Sequence, residues 1–181
     1  MSHNGNIKIS IKTPTLFSDM RENVMKNFKI HLTLFMAFLL MVPFMVKARA
    51  ALTDQKTQVE TLVAAAVKYV QKNGQAKAMQ AFNKTDGLFN KGDLYIFAYD
   101  YDGVSLANGG NPKLAGKNLL DYKDTHGKLV IQSLIAKAKK GGGWVKYYWP
   151  NPKTKKIMCK TAYVQPMNHD YFIASGYYTG K

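Results

Sequence analysis

The side chains with the most chemistry to offer fall on short strand-like segments. Across residues 93–100, Tyr95, Phe97 and Tyr99 recur with period two and Tyr101 continues the series, so they share one face while Leu94, Ile96 and Ala98 share the other. The stretch Trp144-Val-Lys-Tyr-Tyr-Trp149 repeats the theme, with Val145, Tyr147 and Trp149 on one side. Lys160 stands between Cys159, Thr161 and Ala162, and a Gly/Asn-rich loop opens at Asn108. A lysine in an apolar strand is costly to desolvate unless an anion or acceptor meets it. Phenols and an indole need hydrogen-bond partners when buried. This set suits a small carboxylate: the lysine neutralises it, hydroxyls and the Asn108 amide orient it, and rings enclose its carbon tail. Alternatively, Lys160 sits on an edge strand with its head group in water and the rings are ordinary packing. Spacing alone supports both readings.

Other chemistries are thin. His126 and His169 each sit in a turn-like stretch, outside any i, i+4 pair or metal-ligand run. Cys159 lies mid-strand and reads as a buried, inert thiol. There is no G-x-S-x-G and no glycine-rich phosphate loop between a strand and a helix. Asp100-Tyr-Asp-Gly103 lacks the further ligand positions of a calcium loop and reads as a hairpin turn. The expectation is binding without catalysis, with no metal and no cofactor.

The elements that must hold these residues follow from periodicity. Val59, Leu62, Val63, Ala66, Val67 and Val70 make one apolar stripe over residues 54–72, a helix stopped at Asn73-Gly74. A shorter helix is expected over 76–82, then a strand over 93–100 and its hairpin partner over 104–107. The loop 108–118 is too long for a simple connection. A helix over 128–140 ends at Gly141-Gly142-Gly143, and strands follow at 144–149, 157–165 and 171–178. Five short strands with hairpin connections, covered by the first and third helices, make an α+β domain with an antiparallel sheet.

The N-terminal region has a different character. Residues 32–46 carry no charge, Lys26 and Lys29 precede them, and Ala48-Arg49-Ala50 follows, the order of a secretory signal peptide over 25–50 with cleavage near Ala50-Ala51. The run is short for a membrane span and contains Pro43, although a retained anchor is the alternative. Residues 1–24 read as a tail or an over-extended start, with Met25 a candidate initiator. From residue 51 onward there are 19 lysines against nine acids and no arginine. Nucleic-acid readers lean on arginine, so nucleic acid is not an expected partner despite the chain's net charge of +15. The single cysteine excludes an internal disulfide.

Several blocks, in order, resemble the single Cache domain family: residues 94–107, Asn111-Pro-Lys-Leu-Ala-Gly-Lys-Asn-Leu-Leu120, Asp124-Thr-His-Gly127, Gly143-Trp-Val-Lys-Tyr-Tyr-Trp-Pro-Asn-Pro152, Lys160-Thr-Ala-Tyr-Val164 and Ser175-Gly-Tyr-Tyr178. The resemblance implies an extracytoplasmic PAS-like sensor fold over residues 51–181: a long N-terminal helix, then a five-stranded antiparallel sheet with a ligand pocket on one side. It implies a small-molecule ligand, an organic acid or similar polar metabolite, with Tyr95, Phe97, Tyr99, Asn108, Tyr147, Trp149 and Lys160 lining the pocket. Relatives often carry His-Pro or His-Gly at Asn108-Gly109, and some clamp a carboxylate with arginine, which the region after residue 50 lacks. Lys160 would then act as a lone point charge. Tyr163, three residues on, faces the other side. The expected setting is periplasmic or secreted, as a free-standing domain serving a membrane receptor or sensor kinase. The rival function is a basic interaction protein that docks on an acidic partner or an anionic membrane, with no working pocket.

Overall fold

The computed structural model describes the backbone of residues 16–180 and the side chains of 54–180, together with most of those between 20 and 31. Of the expected tail over 1–24, residues 1–15 lie outside that description, and of the expected signal peptide over 25–50 the backbone is described but few side chains are. Among the described residues no helix is long and apolar enough to cross a membrane. The chain divides into two compact units, 1–50 and 51–181, and the second contains all the described strands.

Helix α1 spans Leu16–Asn73 and α2 spans Gln75–Phe82, separated by Gly74 at φ +79°. A two-stranded ribbon, β1 (Asn90–Lys91) and β2 (Leu94–Tyr95), leads into β3 (Phe97–Asp100) and β4 (Ser105–Asn108). A short 3-10 turn at Pro112–Leu114 and α3 (Val130–Lys139) precede β5 (Gly143–Pro150), β6 (Ile157–Pro166) and β7 (Tyr171–Thr179). The sheet has five strands in the order β4-β3-β7-β6-β5, every neighbour antiparallel. The α+β architecture and the five-stranded antiparallel sheet are as the periodicity predicts.

Both faces of the sheet are covered, which explains why Tyr171 to Tyr177 on the central β7 form an unbroken buried run. On one face α1 and α2 bring Val59, Val63, Ala66 and Phe82 onto Ile96, Ala98 and Ile173. On the other, α3 brings Val130, Ile131 and Leu134 onto Tyr95, Phe97, Tyr99, Tyr147 and Phe172. The period-two split of residues 94–101 is therefore a division between two cores.

One expected strand is broken. Residues 93–100 do not form one ladder: the Ile96 N–H donates to the Phe89 carbonyl (3.0 Å), and the Ile96 carbonyl accepts from Gly109 N–H (3.0 Å). Side-chain alternation continues through Ile96 while its backbone changes partners. The ribbon strand β1 has no counterpart in the periodicity; it is closed by a turn in which Gly92 takes φ +83° and its N–H meets the Asn90 side chain at 2.8 Å.

The sheet edges are tied to neighbouring loops. Along β5, the Tyr148 N–H donates to Asp124 Oδ2 (3.0 Å) and the Lys146 carbonyl accepts from the Lys128 ammonium. Pro150, at the end of that strand, has no N–H. Along β4, Ser105 N–H donates to the Lys117 carbonyl (2.9 Å), and the Ser105 carbonyl accepts from Gly116 N–H (2.7 Å).

Candidate functional site

The register of β5, β6 and β7 decides where Lys160 goes. β6 is paired on both sides, so Lys160 is not on an edge, and its side chain is 1% exposed. The outward-pointing alternative fails for that reason. Opposite it stand Tyr147 on β5 and Tyr178 on β7. Its ammonium nitrogen lies 3.9 Å from the Tyr95 ring centre, 4.9 Å from that of Phe97 and 5.0 Å from that of Tyr178. Three rings thus supply the negative π faces that a desolvated cation prefers.

The structure brings all seven residues singled out from the sequence, Tyr95, Phe97, Tyr99, Asn108, Tyr147, Trp149 and Lys160, around one small chamber. Val130, Ile131 and Leu134 of α3 roof it, and its free volume is about 10 Å³, about one water molecule. Neither the helix roof nor Tyr178 belongs to the set read from the sequence. Period two tells which residues share a face, but cross-strand neighbours depend on register, which the turns set.

The polar groups around the chamber are mostly donors. The Tyr178 hydroxyl donates to the Pro150 carbonyl (2.9 Å), so the Tyr95 hydroxyl donates to the Tyr178 oxygen (3.1 Å). Asn108 Oδ1 is committed to the N–H groups of Gly110 (3.1 Å) and Asn111 (3.0 Å), which leaves its amide NH2 to donate. The Tyr99 and Ser105 hydroxyls are buried and make no hydrogen bond of ordinary geometry, although the Ser105 and Asn108 side chains lie close enough to Tyr99 to act on its phenol. A buried hydroxyl without a partner is uncommon enough to need a reason.

Burial shapes the ionisation of this group. It pushes the Tyr99 phenol up to about 12, against a smaller opposing effect of Ser105 and Asn108. Burial raises Tyr147 well above the ordinary phenol range, and the Tyr95 and Tyr99 phenols add to the shift. Burial also raises Tyr95, helped by Tyr178 and Tyr99 and opposed by the Trp149 indole. These phenols stay protonated and able to donate. Burial drives Lys160 the other way, well below the ordinary lysine value, and the Asp93 carboxylate only partly restores it. That carboxylate is itself paired with Lys153 at 3.2 Å. No carboxylate reaches ion-pairing distance of Lys160 among the described residues.

Cys159, His126 and His169 lie outside the chamber lining. Cys159 is buried, and as the neighbour of Lys160 in β6 it faces the other side of the sheet. His126 stacks on Tyr148 with ring centres 4.1 Å apart. No cluster of three potential metal ligands occurs among the described residues.

The profile of the family described as single Cache domain 2 matches residues 45–181. The chain belongs to that family. Over 81 residues this Cache domain is 38% identical to the sensor histidine kinase MctS of Rhizobium johnstonii, an alignment covering 45% of this chain and 18% of that protein. It is 29% identical over 106 residues to the methyl-accepting chemotaxis protein McpP of Pseudomonas putida, covering 58% of this chain and 20% of that protein. The chain thus spans about a fifth of the length of these relatives. A methyl-accepting chemotaxis protein of Vibrio parahaemolyticus superposes with a TM-score of 0.63 at 27% identity, over 74% of this chain and 95% of that one. A Cache chemosensory domain described for carboxylic acid recognition gives a TM-score of 0.59 at 26% identity, over 73% of this chain and 95% of that one. The relatives are sensors, which places this domain among ligand-sensing modules.

Proposed function

We propose that this domain senses a small organic acid, binding it reversibly around Lys160 without transforming it. The observation that carries the reading is the sequestered Lys160, which has no ion pair among the described residues and shares its chamber with the Tyr99 hydroxyl, for which no hydrogen bond of ordinary geometry is made. Such a set asks for acceptors, and a carboxylate brings two oxygens with several lone pairs and the compensating charge. Tyr99, Tyr147 and the Asn108 amide would orient the anion, and Phe97 and Trp149 would cover its short carbon chain. Recognition of carboxylic acids by a structurally similar Cache domain supports the same class. In keeping with the sensor kinases and chemotaxis proteins among its relatives, the domain works outside the inner membrane, and its occupancy is read by a membrane receptor or sensor kinase.

The test is calorimetry and thermal shift of the full chain with acetate, propionate, pyruvate and succinate. At least one should bind saturably and raise the melting temperature by mass action. Absence of any such acid response, or an equal response in Lys160→Met, would remove the reading.

A further inference from the structure

Any carboxylate is larger than one water molecule, so a chamber of about 10 Å³ must enlarge to take one. Its walls do not yield equally. β5, β6 and β7 are cross-linked by continuous antiparallel ladders beneath it. Above, Val130, Ile131 and Leu134 are at most 1% exposed and packed into the core. Two lining residues differ from the rest. Tyr95 and Trp149 face the chamber on one side and, on the other, an open cleft of about 540 Å³ between residues 110–114 and 150–155.

These two are held differently. Tyr95 is fixed from behind: a Cβ on Gly110 would lie 2.4 Å from its ring, so the loop backbone already touches it, and its hydroxyl is bonded to Tyr178. Trp149 lies next to the end of the edge strand β5 and meets Tyr122 and Tyr147 edge-on, at ring-centre distances of 4.9 Å and 6.1 Å. Rotating outward, its ring would leave the Tyr95 hydroxyl near its indole N–H and enter a cleft walled by Leu119, Tyr122 and Pro150, where Asn111 and Asn151 offer the N–H new partners. Lys113 and Lys155 also line that cleft, and no acidic residue does.

We infer that the cleft is an outer compartment of the binding site and that Trp149 is the movable leaf of the partition, admitting acids from the cleft and setting the longest chain the site accepts. This rests on the carboxylate reading of the chamber and adds the route and the length limit. The two cleft lysines attract anions to the outer side, and Lys160 holds the carboxylate within.

The experiment measures binding of unbranched acids from acetate to hexanoate to the full chain by calorimetry. It compares the native protein with Trp149→Ala, Trp149→Phe and Lys160→Met. A Trp144→Phe background leaves Trp149 as the single tryptophan for fluorescence. Affinity in the native protein should fall at least tenfold beyond a short limit. Trp149→Ala should move that limit by two or more carbons, Trp149→Phe by less, and Trp149 emission should shift when acetate or propionate binds. An identical chain-length profile in native protein and both Trp149 variants, with unchanged emission, overturns the partition; Lys160-dependent acetate or propionate binding would then leave the carboxylate reading standing. If no acid binds, or binding ignores Lys160→Met, both fall. Trp149→Phe serves as the deciding variant should Trp149→Ala not fold.

Discussion

Replacing Lys160 by methionine should separate the requirements of folding from those of binding. Methionine keeps an unbranched apolar stem of similar length and removes the charge. In the native protein Lys160 is 1% exposed, and the rings of Tyr95, Phe97 and Tyr178 lie within 5.0 Å of its ammonium nitrogen. Cation–π contacts return about 0.5–2 kcal/mol, whereas replacing buried ionic groups by apolar residues of similar volume ranges from neutral to about 1–4 kcal/mol stabilising. Burial holds the Lys160 pKa well below the ordinary lysine value, and the Asp93 carboxylate restores only part of the shift. Lys160→Met should therefore gain roughly 1–2 kcal/mol without ligand, which for a domain of this size is a rise of about 3–8 °C in melting temperature. The same substitution deletes a charge-assisted hydrogen bond to the acid, worth about 1.5–3 kcal/mol, so affinity should fall about 10- to 100-fold. The pH dependence has a definite sign. Because the folded-state pKa is depressed, the unfolded chain holds more protons between that value and the ordinary lysine pKa, so native stability rises with pH across this window. Lys160→Met should lack that slope, and acid affinity in the native protein should weaken as pH rises through the lowered value. Thermal melts with and without propionate between pH 6 and 9 check all three. A variant that is less stable at every pH and keeps the full propionate-induced shift would refute the reasoning.

Further outcomes are expected elsewhere. Gly110→Ala should cost about 1–3 kcal/mol by overpacking and abolish acid binding, since the new methyl group drives the Tyr95 ring toward Lys160; chemical denaturation and calorimetry measure both. Burial pushes the Asp124 carboxyl up, but the N–H groups of Tyr148, Lys128 and His126 together outweigh it and hold the group below its ordinary value. Its contribution is complete above the unfolded carboxyl pKa and is lost as pH falls through the lowered one, so Asp124→Asn should flatten the acid limb of the stability curve and speed amide exchange at Tyr148. Phe82→Ala removes a fully buried ring set edge-on to Phe89 at 4.8 Å, and urea titration should show a loss of about 3–5 kcal/mol. That loss should leave the acid-induced stabilisation of the remaining folded protein intact, because Phe82 belongs to the opposite core.

The sequence is most legible where one periodicity carries the information. Tyr95, Phe97 and Tyr99 announce a shared face, and the stripe from Val59 to Val70 announces the helix over the opposite core, because each pattern is local. Lys160 is ambiguous for a non-local reason: whether β6 is an edge or an interior strand depends on β7 passing between it and β3, which no single segment reveals. Tyr178 is hidden as a neighbour of Lys160 for the same cause, since the two are paired only by the β6–β7 register. The break at Ile96 leaves no mark in the sequence because side-chain alternation persists while the backbone bonds to residues 89 and 109. The chamber roof needs α3 laid across the sheet, a docking that the helix's own stripe permits but does not aim.

The tethers along the two outer strands limit how copies or partners can associate. Asp124 and Lys128 occupy groups on one border and the 116–117 segment occupies groups on the other, while Pro150 contributes a blank. A foreign segment seeking to zip onto the sheet would have to displace these bonds first. Assembly is thereby steered away from main-chain annealing and toward contacts between side chains. That bias disfavours templated aggregation of a lysine-rich domain.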